Sequence, residues 1–179
     1  ISEKQACAAV GQIILMEQYR KLFQKKGVLP AQILLTENDF TDRKRYLNIR
    51  NTIDTLLDKG VLPIINENDT VAVAEIIFGD NDMLSALIAN VADADLLVVL
   101  TGVDGLLDMR TQERLPFVSK IDDEVYGLIN TAKSSAGRGG MTSKIQAMKT
   151  VTDSGRIGII APFDKVSILE SVITGQDVG

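Results

Sequence analysis

The feature that most constrains this chain is an alternation of short, mostly apolar runs with segments of helical spacing. The runs occupy residues 32–35, 61–65, 95–100 and 157–161. None of them alternates cleanly between polar and apolar residues, which is typical of parallel strands that are covered on both faces. Parallel neighbours need a crossover connection, usually a helix. The pattern therefore predicts one α/β domain over residues 1–179, with a mainly parallel sheet between helix layers.

Apolar residues at three- and four-residue steps predict the helices around these runs. The stripes are Ala8, Gly11, Leu15, Tyr19 and Leu22; Tyr46, Ile49, Ile53 and Leu56; Leu84, Leu87, Ile88 and Val91; Met141, Ile145, Met148 and Val151; and Val166, Leu169 and Ile173. The first readable element is thus a helix, whereas folds of this class usually begin with a strand. We therefore expect a further N-terminal piece before Ile1.

Composition removes several classes of function. The chain has no histidine and a single cysteine, which excludes histidine-dependent nucleophilic catalysis, His-ligated zinc and an intrachain disulfide. Its formal net charge is −5, and the sequence shows no basic stripe of the kind that binds nucleic acid. No secretory signal and no apolar run of about 20 residues is visible. We expect a cytoplasmic protein with neither a membrane nor a nucleic-acid partner.

Two polar clusters are predicted to meet at the edge of the sheet. Residues 66–69 (Asn-Glu-Asn-Asp) directly follow the strand at 61–65, and residues 79–82 (Gly-Asp-Asn-Asp) precede the third helix. Taken singly, a turn or a helix N-cap explains each of them. Ligands of open α/β sheets lie outside the carboxyl ends of the strands, where both clusters are expected to converge. Their amides, carboxylates and helix N–H groups suit a zwitterionic amino acid.

A glycine-rich segment, residues 134–144, opens the fourth helix. A flexible connector is the plain alternative to a binding loop. Lys144 stands in the first helical turn, where the helix dipole disfavours a cation, so a bound anion between them is indicated. The segment fits neither a Walker A loop nor the dinucleotide fingerprint. Thr101 and Gly102, after the central strand, are a second candidate nucleotide contact, for which a simple turn is the alternative.

These parts indicate ATP-dependent phosphorylation of a small carboxylate. A carboxylate acceptor, with a reference pKa of about 4.3 in the case of a glutamate side chain, is already ionised at neutral pH, so phosphoryl transfer onto it needs no general base. Positioning and charge neutralisation suffice for such a reaction. The absence of histidine is therefore compatible with this chemistry.

Ordered motifs along the chain resemble those of the glutamate 5-kinase family. They lie at residues 9–12, 32–36, 47–52, 63–69, 78–86 and 139–144. The resemblance extends over essentially all 179 residues. It implies the amino-acid-kinase fold, a three-layer αβα sandwich. It also implies transfer of the ATP γ-phosphoryl group to the glutamate side chain, giving γ-glutamyl phosphate in the first step of proline biosynthesis.

The resemblance further implies the site residues. Asp69 and Asn81, with Asp80 beside them, would bind glutamate. Asp82 would organise the catalytic lysines, and Lys144 would stabilise the transferring phosphoryl group. ATP would be held by Thr101, Gly102, Arg138, Gly139, Gly140, Met141, Thr142, Ser143 and Lys144. Mg²⁺ would be bound through the ATP phosphates rather than by the protein, proline would be a feedback inhibitor, and the protein would form a homo-oligomer.

Departures from the family pattern bear on these expectations. The family's first strand, its glycine-rich phosphate loop with another catalytic lysine, and a substrate-contacting serine have no counterpart here, so we expect residues 1–179 alone to be inactive or very weak. Gly102 stands where the family usually has aspartate, and Arg138 where it usually has threonine. The RNA-binding-like C-terminal domain of many relatives has no counterpart either.

Two alternatives remain at this point. The first is an enzyme of the same fold with another acceptor, such as acetylglutamate, carbamate or a nucleoside monophosphate. A second phosphate on the acceptor would require more Arg and Lys than the two polar clusters provide. The second alternative is a non-catalytic amino-acid-sensing domain, which Gly102 and the missing front segment favour.

Overall fold

The computed structural model describes residues 2–71, 81–108, 110–129 and 140–179. Its backbone contacts divide the chain into two compact units, Ile1–Leu84 and Ser85–Gly179. We describe each unit by itself. The expectation of a single domain across residues 1–179 stays a prediction.

The first unit places two parallel strands beside three helices. Its elements are α1 (Ser2–Gln24), β1 (Leu29–Leu35), α2 (Asn38–Thr41), α3 (Arg43–Asp58) and β2 (Val61–Glu67). The strands pair from Leu29 opposite Val61 to Leu35 opposite Glu67, so their carboxyl ends lie side by side. Ile49 and Ile53 form the buried face of α3, and Ile53 is only 2% exposed. The boundary between the units falls within α4 (Asn81–Val91).

The second unit repeats this arrangement with a second parallel pair. It contains β3 (Leu96–Thr101), α5 (Asp123–Ile129), α6 (Met141–Thr152), β4 (Ile157–Pro162) and α7 (Ile168–Ile173). The register runs from Leu96 opposite Ile157 to Thr101 opposite Pro162. Ile145, Met148 and Val151 of α6 are buried, and Val151 is 0% exposed. One face of α6 therefore forms much of this unit's core.

The structure confirms the four predicted strands and five predicted helices, with corrections at their ends. In α7 the predicted stripe is wrong, because Val166 precedes the helix, Leu169 and Ile173 are exposed, and Ile168 and Val172 are buried instead. β1 begins three residues before the expected run at 32–35, and β2 continues two residues past the expected end at residue 65. Two short helices, α2 and α5, were not predicted. α2 has only four residues, too few for an apolar recurrence to be visible, and the recurrence in α5, Val125 with Leu128 and Ile129, spans little more than one turn.

The predicted buried stripe of α1 is partly wrong. Ala8 and Tyr19 are half-buried as expected, but Leu15 and Leu22 are 42% and 62% exposed. The half-buried residues of α1 follow three- and four-residue steps and are Gln5, Ala8, Gln12, Met16, Tyr19 and Phe23. Apolar residues lie on several sides of this helix, so the hydrophobic pattern does not single out one face.

Candidate functional site

The first unit gathers polar side chains at the carboxyl ends of β1 and β2. Because β2 extends to Glu67, Asn66 and Glu67 belong to the strand itself, and the expectation that they directly follow it is wrong. Glu67 is 9% exposed. The backbone N–H of Asn68 donates to the carbonyl of Leu35 at 2.7 Å. This extra bond continues the strand pairing past Glu67 and fixes where the next residues leave the sheet.

The structure connects the two polar clusters that the sequence singled out. The Asn81 side-chain amide, at the start of α4, donates to Asn66 Oδ1 at 3.2 Å. Asp82 lies in the first turn of α4 and is half-buried. Asp69 is exposed, two residues beyond the end of β2. Asp80 lies outside the described residues, so its predicted place beside Asn81 stays a prediction.

A third polar group at the same edge was missed by the sequence analysis. Asp39 Oδ2 accepts hydrogen bonds from the Thr36 backbone N–H at 2.7 Å and from the Thr36 hydroxyl at 2.8 Å. Its Oδ1 accepts from Arg45 at 3.0 Å. Burial raises the pKa of Asp39, but these hydrogen bonds from Thr36 and Arg45 outweigh it, so the pKa lies below its usual value. A capping turn Thr-x-x-Asp directly after β1 was the available signal.

In the second unit the carboxyl ends of β3 and β4 also meet. Thr101 is the last residue of β3, and its carbonyl accepts from the Phe163 N–H at 2.9 Å. Gly102 is exposed, and a Cβ built on it would lie 3.6 Å from the Phe163 ring, an ordinary van der Waals distance. The Phe163 side chain is 66% exposed. Sequence analysis missed this aromatic ring, which lies beside the predicted nucleotide contact at Gly102.

The N-cap residue of α6 makes no side-chain capping hydrogen bond. Gly140 is the N-cap residue and has no side chain to offer, and the first turn contains no acidic residue. The N–H groups of Ser143 and Lys144 are directed at the Gly140 carbonyl, at 3.2 and 3.5 Å. Lys144 is half-buried in this first turn. A helix N-terminus with a nearby cation and no carboxylate is suited to an anion such as phosphate.

Part of the predicted nucleotide segment lies outside the described residues. Arg138 and Gly139 belong to that part, whereas Gly140, Met141, Thr142, Ser143 and Lys144 are described. Asp69, Asn81 and Asp82 belong to the first unit, and Thr101, Gly102 and Lys144 to the second. The predicted sites thus divide into an amino-acid group on one unit and a nucleotide group on the other. The assignment of these residues to ligands stays a prediction.

Metal-binding and membrane-spanning features are absent from the part of the chain that the structure describes. Within those ranges, no group of three or more His, Cys, Asp or Glu side chains is placed to hold a metal ion. No helix in the same ranges is long and apolar enough to cross a bilayer. Cys7 on α1 is a free, exposed thiol.

Comparison with known proteins defines the class to which this site belongs. The profile of the amino acid kinase family matches residues 1–160. The chain therefore belongs to the amino acid kinase family. A solved structure, carbamate kinase from Giardia lamblia bound to AMP-PNP, superposes with a TM-score of 0.62 over 97% of this chain and 73% of that one, at 18% identity. This likeness confirms the predicted α/β fold, the three-layer αβα sandwich of the family.

Curated relatives give a more specific similarity. The chain is 45% identical to "Glutamate 5-kinase" of Thermoanaerobacter sp. (strain X514), over 100% of this chain and 50% of that protein. It is 46% identical to "Glutamate 5-kinase" of Deinococcus radiodurans, over 100% of this chain and 51% of the relative. The chain spans about half the length of these curated relatives. The resemblance stated from the motifs is confirmed.

Proposed function

We propose that this protein catalyses ATP-dependent phosphorylation of the side-chain carboxylate of L-glutamate, giving γ-glutamyl phosphate and ADP for proline biosynthesis. The observation that carries the proposal is 45% identity to a glutamate 5-kinase across the whole of the chain. The match of the amino acid kinase profile to residues 1–160 supports the reaction class. The proposal includes a cytoplasmic location, where ATP is supplied.

The amino-acid group of the first unit supports glutamate as the acceptor. Asp69 is an exposed carboxylate and Asn81 an exposed amide at the edge where β1 and β2 end. We assign to Asp69 and Asn81, together with Asp80, the binding of the amino acid. A carboxylate attracts an ammonium, whereas an amide can serve either end of a zwitterion through its oxygen or its N–H.

The nucleotide group of the second unit supports ATP as the donor. We assign the phosphates to the start of α6, with Lys144 and the glycine-rich sequence around Arg138, and the nucleoside to Thr101, Gly102 and the exposed Phe163 ring. The solved carbamate kinase structure contains AMP-PNP, which is an ATP analogue. We further propose that Mg²⁺ is carried on the ATP phosphates, because phosphate oxygens are suitable ligands for this hard cation.

The proposed step is a direct displacement at phosphorus. An oxygen of the ionised γ-carboxylate attacks the γ-phosphorus of ATP, a new P–O bond forms, and the bond to the β–γ bridging oxygen breaks. ADP leaves with that electron pair. Because the carboxylate is already ionised at neutral pH, no proton has to be removed from the nucleophile. Lys144 and the N–H groups at the start of α6 stabilise the charge on the transferring group. Asp82 is proposed to organise the lysines.

A hydroxylamine trap tests this function on the product of the whole open reading frame. Hydroxylamine converts an acyl phosphate into a hydroxamate, which is quantified alongside ADP. With ATP and Mg²⁺ present, we expect hydroxamate and ADP in equal amounts with glutamate, and neither with acetylglutamate or acetate. ADP release with carbamate or a nucleoside monophosphate instead would assign another acceptor. No ATP consumption with any acid, together with glutamate binding, would identify an amino-acid sensor.

Two proposals of this function remain, one tested by the same assay and one by light scattering. Proline is proposed as a feedback inhibitor, so its addition should lower the rate at fixed glutamate and ATP. Homo-oligomer formation is proposed as well and is measured by light scattering on the eluting protein. A rate insensitive to proline, or a monomer mass at assay concentration, would contradict the respective proposal.

A further inference from the structure

Four amide side chains from four different elements form one chain of hydrogen bonds in the first unit. Gln12 on α1 donates to Gln32 on β1 at 3.1 Å, Asn66 on β2 donates to Gln12 at 3.0 Å, and Asn81 on α4 donates to Asn66 at 3.2 Å. We call Gln32, Gln12, Asn66 and Asn81 the amide relay. It links the inner surface of α1 to the first residue of α4.

The relay has a single direction. At each step the NH₂ group of one amide donates to the carbonyl oxygen of the next, from Asn81 to Asn66, from Asn66 to Gln12, and from Gln12 to Gln32. Rotating an inner amide by half a turn would place NH₂ against NH₂ and oxygen against oxygen, and would break the bonds on both of its sides. The orientation of each amide is therefore tied to that of its neighbours.

This direction determines what Asn81 presents to a ligand. One N–H of its NH₂ group donates to Asn66, which fixes the orientation of the amide and leaves the carbonyl oxygen Oδ1 as its acceptor for a donor outside the relay. Asn81 is exposed, whereas Asn66 and Gln12 are half-buried beneath it. An ammonium group is a strong donor with no acceptor capacity, and it discriminates between the two orientations of an amide. The relay thus favours a ligand that carries an ammonium group.

We propose that Gln12 is a positioning residue for the amino-acid substrate: acting through Asn66, it holds Asn81 with Oδ1 directed to accept a hydrogen bond from the substrate ammonium. This inference rests on the proposed function, because it takes an amino acid as the occupant of that edge. Two amide side chains, Asn66 and Asn81, separate Gln12 from the ligand. Its effect is on the preference for ammonium-bearing acids rather than on the phosphoryl transfer step.

The test compares Gln12→Met with Gln18→Met in the full-length protein. Methionine is close to glutamine in length but neither donates nor accepts at the end of its side chain, and Gln18 is an exposed residue on the same helix. We expect Gln12→Met to raise the KM for glutamate about fivefold, as for the loss of one neutral hydrogen bond. The KM for ATP and kcat should stay within about twofold of the parent, and Gln18→Met should match the parent.

Two further measurements distinguish positioning from a merely structural role. Glutarate is glutamate without the ammonium group, so its inhibition constant against glutamate should be unchanged in Gln12→Met. Gln12→Glu keeps an acceptor oxygen towards Asn66 and should restore most of the glutamate affinity, since Gln32 can then rotate and donate to the new carboxylate. This conservative variant also provides a folded comparison if Gln12→Met unfolds.

Each outcome has a defined meaning. If Gln12→Met behaves like Gln18→Met, or weakens glutarate and glutamate equally, the positioning role is overturned while the proposed function stands. Failure of Gln12→Glu to restore affinity also overturns it. If the parent protein consumes no ATP with glutamate and does not bind it, the proposed function fails, and this inference fails with it.

Discussion

At the scale of single residues, the proposed chemistry depends most directly on Lys144. It lies in the first turn of α6, which follows the glycine N-cap and contains no acidic residue. If it stabilises charge that develops on the transferring phosphoryl group, its contribution is made mainly in the transition state. We expect Lys144→Ala to lower kcat by about 10²- to 10³-fold with little change in the KM for glutamate.

The matched control for Lys144 is on the same helix. Lys149 donates to Asp153 at 2.8 Å in the last turn of α6, so Lys149→Ala removes a cation from the helix at the opposite end. Steady-state kinetics of both variants in the full-length protein would check the assignment. A kcat for Lys144→Ala equal to that of Lys149→Ala would remove Lys144 from the mechanism.

Individual residues also show where sequence reasoning reaches its limit. Asn66 and Asn81 were predictable as members of two clusters at one sheet edge, because parallel strands fix which loops share that edge. Gln12 and Gln32 were not, since a glutamine on a helix or a strand has no local signature of its partner. Asp39 is a mixed case, because the Thr-x-x-Asp turn was a local signal for its contact with Thr36, whereas nothing local indicated its contact with Arg45.

At the scale of elements, the position of α6 depends on close contact with β4. A Cβ built on Gly158 of β4 would lie 2.5 Å from the sulfur of Met148, a buried residue of α6. We expect Gly158→Ala to lower the free energy of unfolding by about 1 to 3 kcal/mol through overpacking. Because α6 also contains Lys144, the same substitution should reduce kcat in the full-length protein.

Gly127 provides the comparison for this packing argument. It lies exposed in α5, and a Cβ built on it would meet no neighbouring atom of the described residues within 4 Å. Gly127→Ala should therefore be neutral or stabilising by up to about 1 kcal/mol through helix propensity. Chemical denaturation of both variants would measure the difference. Equal stability of Gly158→Ala and Gly127→Ala would show that Met148 relaxes without cost.

The elements differ in how far the sequence determines them. Strands β2 and β3 have strong apolar runs and were located to within two residues, because burial on both faces leaves a continuous signal. The buried face of α1 was not located correctly, since Val10, Ile13 and Ile14 are apolar yet exposed. Which side of such a helix packs is decided by the strand it meets, here β1, and not by its own periodicity.

At the scale of the whole molecule, each unit contains a carboxylate with a lowered pKa. In the first unit, hydrogen bonds from Thr36 and Arg45 outweigh the effect of burial on the pKa of Asp39. In the second unit, hydrogen bonds from the side chain and the backbone N–H of Arg110 hold the pKa of Asp108 below its usual value. Both folded carboxylates therefore resist protonation at a pH at which the unfolded chain accepts protons.

The sign of the resulting pH dependence follows from linkage. The unfolded Asp pKa is about 3.9, so above that pH both carboxylates contribute their full stabilisation. As the pH falls through their lower folded-state values, the unfolded state binds more protons than the folded state and the stabilisation is lost. We expect the free energy of unfolding to decline below about pH 4, with a contribution from each unit.

Removing one carboxylate at a time tests whether these two residues cause the decline in the free energy of unfolding at low pH. Asp39→Asn should reduce the free energy of unfolding at pH 7 and have a smaller effect near pH 2.5, because the stabilisation that comes with the lowered pKa of Asp39 is lost as the pH falls. Asp108→Asn should behave alike. Asp58→Asn, at the exposed end of α3, serves as the control for replacing an exposed aspartate by asparagine. Denaturation curves across this range measure the slopes directly. If Asp39→Asn were destabilised equally at pH 7 and pH 2.5, its loss would reflect the hydrogen bonds of a neutral group, and the acid sensitivity would have to come from other carboxylates.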